Sequence, residues 1–136
     1  MRRLSLLLAP MLMAQAEPKP LVPEGIHSLA PTAPETICGI TAASAQEFEA
    51  KVKSSPNAKY NNETDRYVTY VGPMPLTLWA FAKSSNFAYP VATCMRVYVE
   101  GGQTFTEREM RCDASREACD RTFLEFRDLD KKVIGN

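Results

Sequence analysis

The amino-acid sequence predicts an α+β domain: a four-stranded, mainly antiparallel sheet packed by a C-terminal helix, with a shorter N-terminal helix. Three observations carry this expectation. Gly101-Gly102 separates two runs rich in β-branched and aromatic residues, the pattern of a hairpin closed by a two-residue turn. Residues 66–71 and 76–83 read as two further strands ahead of that hairpin. The last stretch of the chain repeats apolar residues three and four apart, the period of a helix with one buried face.

Taken in order, Thr36-Ile37-Cys38-Gly39-Ile40 is a short apolar run and reads as one strand. A helix is expected over Ala42 to Lys53, because Ala45, Phe48 and Val52 then share a face. Residues 54–64 contain Pro56, Asn57, Asn61 and Asn62 and read as a loop, in which Asn62-Glu63-Thr64 matches the N-glycosylation sequon. Arg66 to Val71 is the next strand, ended by Gly72-Pro73-Met74-Pro75. In Leu76 to Lys83, Leu76, Leu78 and Ala80 lie on one face and Trp79 and Phe81 on the other. Apolar residues on both faces mark a central or doubly covered strand. Residues 83–90 form a loop.

The glycine pair sets the register of the hairpin over Val91 to Cys112. Glu100 then faces Gln103, Tyr98 faces Phe105 and Arg96 faces Glu107, so one pair is aromatic and one is opposite in charge. Val91, Thr93, Met95, Val97 and Val99 share a mostly apolar face with Thr104, Thr106, Met110 and Cys112, into which Arg108 intrudes. The opposite face carries Arg96, Glu100, Gln103, Glu107, Glu109 and Arg111. The final helix starts after Ser115, a good N-cap, and Glu117 in its first turn suits the helix dipole. Ala118, Cys119, Thr122, Phe123, Phe126, Leu129 and Val133 form its apolar stripe. Glu117 with Arg121, and Asp128 with Lys132, are expected ion pairs, and Gly135 suits its end.

The N-terminus has another character. Arg2 and Arg3 precede an uncharged apolar run from Leu4 to Met13, and Ala14-Gln15-Ala16 supplies the small residues of a cleavage site. Residues 1–16 therefore read as a secretory signal peptide. The apolar run is about half the roughly twenty residues of a membrane-spanning helix, so no stable membrane anchor is expected after cleavage. Residues 17–35 hold five of the ten prolines and read as a disordered leader. The sole histidine, His27, lies in it. Residues 36–134 are then a single domain. Without Arg2 and Arg3 the chain has 14 basic and 16 acidic residues, a net charge of −2, interspersed throughout. A nucleic-acid partner requires a clustered positive face, so none is expected.

Export places four cysteines in an oxidising compartment, periplasmic or extracellular. Their spacings of 56, 18 and 7 residues fit neither a zinc site nor a C-x-x-C redox motif. Cys112 ends a strand on the apolar face and Cys119 begins the helix stripe, which predicts a Cys112–Cys119 bridge. Cys38 is left to join Cys94 on the opposite sheet face, so the N-terminal strand or helix has to approach that face. Loop-closure entropy assigns these bridges about 2.5 and about 4 kcal/mol respectively.

No catalytic triad, metal set, cofactor motif or phosphate-binding loop is present in the sequence. The expected function is that of a non-enzymatic exported binding or accessory domain, without cofactor, engaging a protein or small ligand. Its candidate binding patch is Arg96, Glu107, Glu109 and Arg111 on the hairpin, with Phe87 and Tyr89 in the loop before it. A carboxylate-based hydrolase or carbohydrate-active enzyme is the first alternative, and a thiol redox protein the second. The signal reading makes one direct prediction: intact-mass measurement of the exported chain will give an N-terminus at Glu17, and retention of Met1 or a start within the apolar run would contradict it.

Overall fold

The computed structural model describes residues 33–134, with side chains to Lys132. The expected signal peptide and the leader up to residue 32, with His27, lie outside the described residues. The elements run β1 (Glu35–Ile37), β2 (Ile40–Ala42), α1 (Ala45–Ser54), β3 (Lys59–Glu63), β4 (Tyr67–Val71), β5 (Thr77–Ala82), β6 (Val91–Glu100), β7 (Gln103–Cys112) and α2 (Arg116–Ile134). Strands β3 to β7 form one antiparallel sheet in sequence order, and β1 and β2 form a separate hairpin.

The α+β class, the C-terminal helix and the shorter N-terminal helix are as the sequence predicts. The sheet has one more strand. β3 lies inside the segment read as a loop, because Lys-Tyr-Asn-Asn-Glu carries no apolar alternation and all five residues are exposed. It is an edge strand whose register against β4 slips between Tyr60 and Asn62. Irregularity and charge are common protections for a sheet edge. The run 36–40 is a tight hairpin, not one strand. Cys38 and Gly39 occupy the left-handed region, at φ of 44° and 78°, and turn the chain back on itself.

The hairpin β6–β7 has the predicted register, with Glu100 opposite Gln103, Tyr98 opposite Phe105 and Arg96 opposite Glu107. Both glycines of its turn have positive φ. The Tyr98 and Phe105 rings stack with centroids 5.5 Å apart. The last β5 residue in register with this hairpin is Thr77, opposite Arg96. Beyond that pair the hairpin projects past β5 as a two-stranded arm.

The two helices cover opposite faces of the sheet. α2 lies on the face of Val91, Thr93 and Cys112, as expected. The larger apolar core, however, is on the other face, where α1 and the β1–β2 hairpin pack Phe48, Val52 and Ile37 against Trp79, Phe81, Ala92 and Cys94. The central strands explain the difference: β5 and β4 contribute Trp79, Phe81, Val68 and Tyr70 to that side, which the hairpin pattern alone does not show. Phe48, Trp79 and Phe81 stack in series, with centroid separations of 5.7 and 5.6 Å. The helical spacing that predicts α1 is the one used, since Ala45, Phe48 and Val52 are its buried residues. Ser44 caps it, accepting the Glu47 amide, while the Glu47 carboxylate accepts the Ala43 amide at 2.7 Å. That bond lies ahead of Lys51 among the causes that hold the Glu47 carboxyl below its ordinary value.

Under α2 the buried stripe is narrower than predicted. Ala118, Thr122 and Phe126 are buried, whereas Phe123 and Leu129 are about half exposed. The reason is the polar surface below. The Phe126 ring meets the edge of Tyr67 and lies 4.4 Å from the Arg108 guanidinium. Arg108 itself is held by Asp130 through two bonds of 2.7 Å and by Thr93. Ser115 accepts the Ala118 amide, as an N-cap should. The i,i+4 pairs that form on this helix are Arg116–Asp120 and Arg121–Glu125, so Arg121 turns to Glu125 and not to Glu117 as predicted.

Both expected disulfides are present, Cys38–Cys94 and Cys112–Cys119. The first ties the β1–β2 turn to the centre of the sheet. The hairpin is also fixed beside it, because the Cys38 amide donates to Glu109, the direct cross-strand neighbour of Cys94.

The end of β7 completes that junction. Arg111 is 2% exposed. Its Nε donates to Asp113 at 2.6 Å, Nη1 to Glu35 at 3.1 Å and Nη2 to the Ala43 carbonyl. The second Asp113 oxygen accepts the Ala45 amide at 2.7 Å, at the start of α1. Burial works against the guanidinium charge, and the bonds to Asp113 and Glu35 more than restore it. Removing one partner of a buried pair strands the other. Asp113→Ala should therefore lower unfolding stability by about 3 kcal/mol, whereas Glu107→Ala, which breaks the exposed Arg96 pair, should cost under about 1 kcal/mol. Urea unfolding followed by circular dichroism will show the contrast, and equal losses would refute the structural weight given to the buried pair.

Candidate functional site

The structure divides the residues that the sequence marks as a binding patch. Arg96 and Glu107 form an exposed ion pair at the base of the projecting arm, with the Arg96 guanidinium 5.9 Å from the Tyr98 ring. Arg111 does not face water with them: it is buried beneath the β1–β2 hairpin, and Glu109 is engaged by the Cys38 amide. The pattern of β7 gives its charged face no visible cover, and the cover comes from a distant part of the chain.

Phe87 and Tyr89 lie in the loop between β5 and β6, and that loop bridges the two helices. The Phe87 ring lies between two guanidiniums, Arg121 at 4.0 Å from α2 and Arg66 at 5.2 Å from the sheet. Both arginines also contact Glu125. Phe87 thereby latches the loop to α2. Tyr89 points the other way, its hydroxyl accepting a bond from Gln46 of α1 at 3.2 Å.

Tyr89 leads to a concavity on the α1 side of the sheet. A groove of about 450 Å³ runs between α1 and the β3–β4 edge of the sheet. That size falls within the range of small-ligand sites, about 300–1,000 Å³. Tyr60, Tyr70 and Tyr89 line it, over the apolar residues Val68 and Ala82. The Tyr60 and Tyr70 rings meet edge to face, with centroids 6.0 Å apart. Tyr60 is 58% exposed even though its ring is paired across the strands with Tyr70.

Four charged side chains converge on the same groove: Glu49 and Lys53 from α1, Glu63 from β3, and Lys83 at the end of β5. They cancel in charge. Lys53 pairs with Glu49 at 2.6 Å, and that bond holds its ammonium above the ordinary lysine value. Lys83 donates to the Thr64 carbonyl at 3.0 Å and lies 3.8 Å from Glu63. Each carboxylate thus has a cation beside it. Among the described residues, no three His, Cys, Asp or Glu side chains converge as a metal set would require.

Of the groove residues, only Tyr89 belongs to the set marked in the sequence. Tyr60 and Glu63 escape sequence reasoning because their strand, β3, reads as a loop; Glu49, Lys53, Tyr70 and Lys83 lie on or beside elements the sequence predicts, but no local pattern brings them to one surface. The usable signal is Tyr60 itself, a bulky aromatic in an otherwise polar stretch. A second exposed apolar region lies on the arm and its neighbouring turn, where Leu76 and Val99 are two-thirds exposed.

No protein-family model, curated protein or solved structure matches the chain. The groove therefore rests on its own geometry. The role of Phe87 as a latch has a measurable consequence. Phe87→Ala removes two cation–π contacts, each worth about 0.5–1 kcal/mol at such sites. Amide hydrogen exchange in residues 84–90 should accelerate several-fold while exchange in β5 and β6 is unchanged, and unaltered loop exchange would contradict the latch.

Proposed function

We propose that this chain is a non-enzymatic binding module of an exported protein, and that it holds its ligand in the groove between α1 and the β3–β4 edge. The observation that carries this reading is the convergence of three tyrosines and four mutually neutralised charges on one concave surface. Rigid tyrosine rings give large amphipathic contact at little conformational cost, and a few placed polar groups orient a ligand.

Two disulfides support an oxidising compartment, periplasmic or extracellular. Among the described residues no helix is long and apolar enough to cross a membrane. The paired carboxylates argue for binding over acid–base hydrolysis, since a general acid and base need opposed, unneutralised groups in reach of one bond. Burial of Cys94 at the centre of the core argues for a structural Cys38–Cys94 bridge over a redox one, because exchange needs access for an attacking thiolate.

The test compares the tagged mature chain with a Tyr60→Ala/Tyr89→Ala variant, each incubated with extract of the exported compartment of the source organism. Both rings are substantially exposed, so the variant should fold, and its circular dichroism will check this. Material retained by the wild type and lost from the folded variant supports the groove. Identical retention by both overturns it.

A further inference from the structure

We infer that the groove takes an uncharged saccharide, a ligand whose sugar rings lie against Tyr60, Tyr70 and Tyr89 while its hydroxyls meet the flanking lysines and glutamates. This rests on the groove being the binding site, and it follows from the balance of groups there. Lys53 and Lys83 are matched by Glu49 and Glu63, so the site offers a charged ligand of either sign no net attraction. An apolar ligand would cover these four heads without replacing their bonds to water, which is costly for charged groups.

A neutral polyol avoids both penalties. Each hydroxyl both donates and accepts. It can therefore give a hydrogen to Glu49 or Glu63 and take one from Lys53 or Lys83, and bonds to ionised partners are the stronger kind. The C–H faces of a sugar ring are apolar and flat enough to rest on a phenol ring, whose polar tip stays free for water or ligand. Glu49 with Lys53 on α1, and Glu63 with Lys83 across the groove, place a donor and an acceptor on each wall. A volume of about 450 Å³ in a concavity open to solvent suits a short oligomer over a single enclosed ring. The Tyr89 hydroxyl, already fixed by Gln46, presents its ring in one orientation before any ligand arrives.

The test is an NMR titration of the full mature chain, following tyrosine ring and backbone amide resonances. The neutral probes are cellotetraose, chitotetraose and maltotetraose; the controls are tetragalacturonate and tetra-alanine. The expected result is saturable movement of Tyr60, Tyr70 and Tyr89 with at least one neutral tetramer, at a Kd on the order of 1 mM or tighter. Tyr60→Ala and Lys53→Ala, both at exposed positions, should each weaken that binding by about tenfold, with the amide spectrum confirming that each variant is folded. No movement with any neutral tetramer overturns the inference. So does movement with tetragalacturonate or tetra-alanine alone, or binding that survives both substitutions. If the neutral probes fail while extract retention still depends on Tyr60 and Tyr89, the ligand class is wrong and the groove stands. If both fail, the groove reading falls with it.

Discussion

A buried guanidinium at the end of β7 joins parts of the chain that lie far apart in sequence. Arg111 and Asp113 reach back to Glu35, to the Ala43 carbonyl and to the first amide of α1. Glu109, two residues earlier on the same face, takes the Cys38 amide. Three alternate residues of one strand end thus receive the whole N-terminal unit, which in turn brings Phe48 and Val52 onto Trp79. A buried charge is tolerated only where its donors are satisfied, and that requirement makes the seating of the β1–β2 hairpin specific. The Cys38–Cys94 bridge fastens the same hairpin to the centre of the sheet. The groove depends on the same seating, because α1 is one of its walls.

The two faces of the sheet are held by different physics. On the α1 face, aromatic rings and short aliphatic residues exclude water, and stability comes chiefly from burial. On the α2 face the contacts are polar or mixed: Arg108 with Asp130, Arg66 with Glu125, Phe126 against Tyr67. Thr122 Oγ1 and the Tyr67 hydroxyl are buried there without a hydrogen-bond partner among the described residues. Such a face gives weaker net attraction, since its contacts are more polar and it carries two unsatisfied groups against one, Trp79 Nε1, on the α1 face, each at a cost of about 1–3 kcal/mol. The Cys112–Cys119 bridge compensates by removing the freedom of α2 at its first turns, and the Phe87 latch holds the helix further along. The short disulfide loop is therefore placed where burial contributes least.

These differences also decide what the sequence reveals. The hairpin β6–β7, both helices and both disulfide pairings are legible because each has a local signal: a glycine turn, a 3.6-residue period, a parity of faces that leaves one pairing of cysteines. Arg111 is misread as solvent-facing because alternation along β7 says only which face it occupies. What covers that face is set by a segment about seventy residues earlier, beyond the reach of any periodicity. That the larger core lies on the α1 face is not legible from the hairpin for a related reason. Hairpin pattern shows two strands, whereas Trp79, Phe81 and Tyr70 on their neighbours outweigh it.

The groove is the least legible part, and the physics of edge strands explains why. A strand that pairs on one side and packs nothing below has no need of apolar alternation, so β3 carries Lys, Asn and Glu and passes for a loop. The same freedom from packing leaves its side chains available for other work. Core positions are constrained to be apolar and are readable for that reason; positions that meet a ligand are constrained by the ligand, which the sequence does not contain. Tyr60 shows the distinction in one residue. It pairs across the strands with Tyr70, which uses one edge of its ring, yet it is 58% exposed and lines a concavity where aromatic and charged groups converge. An exposed ring of which packing uses only part is where natural sequences tend to show function.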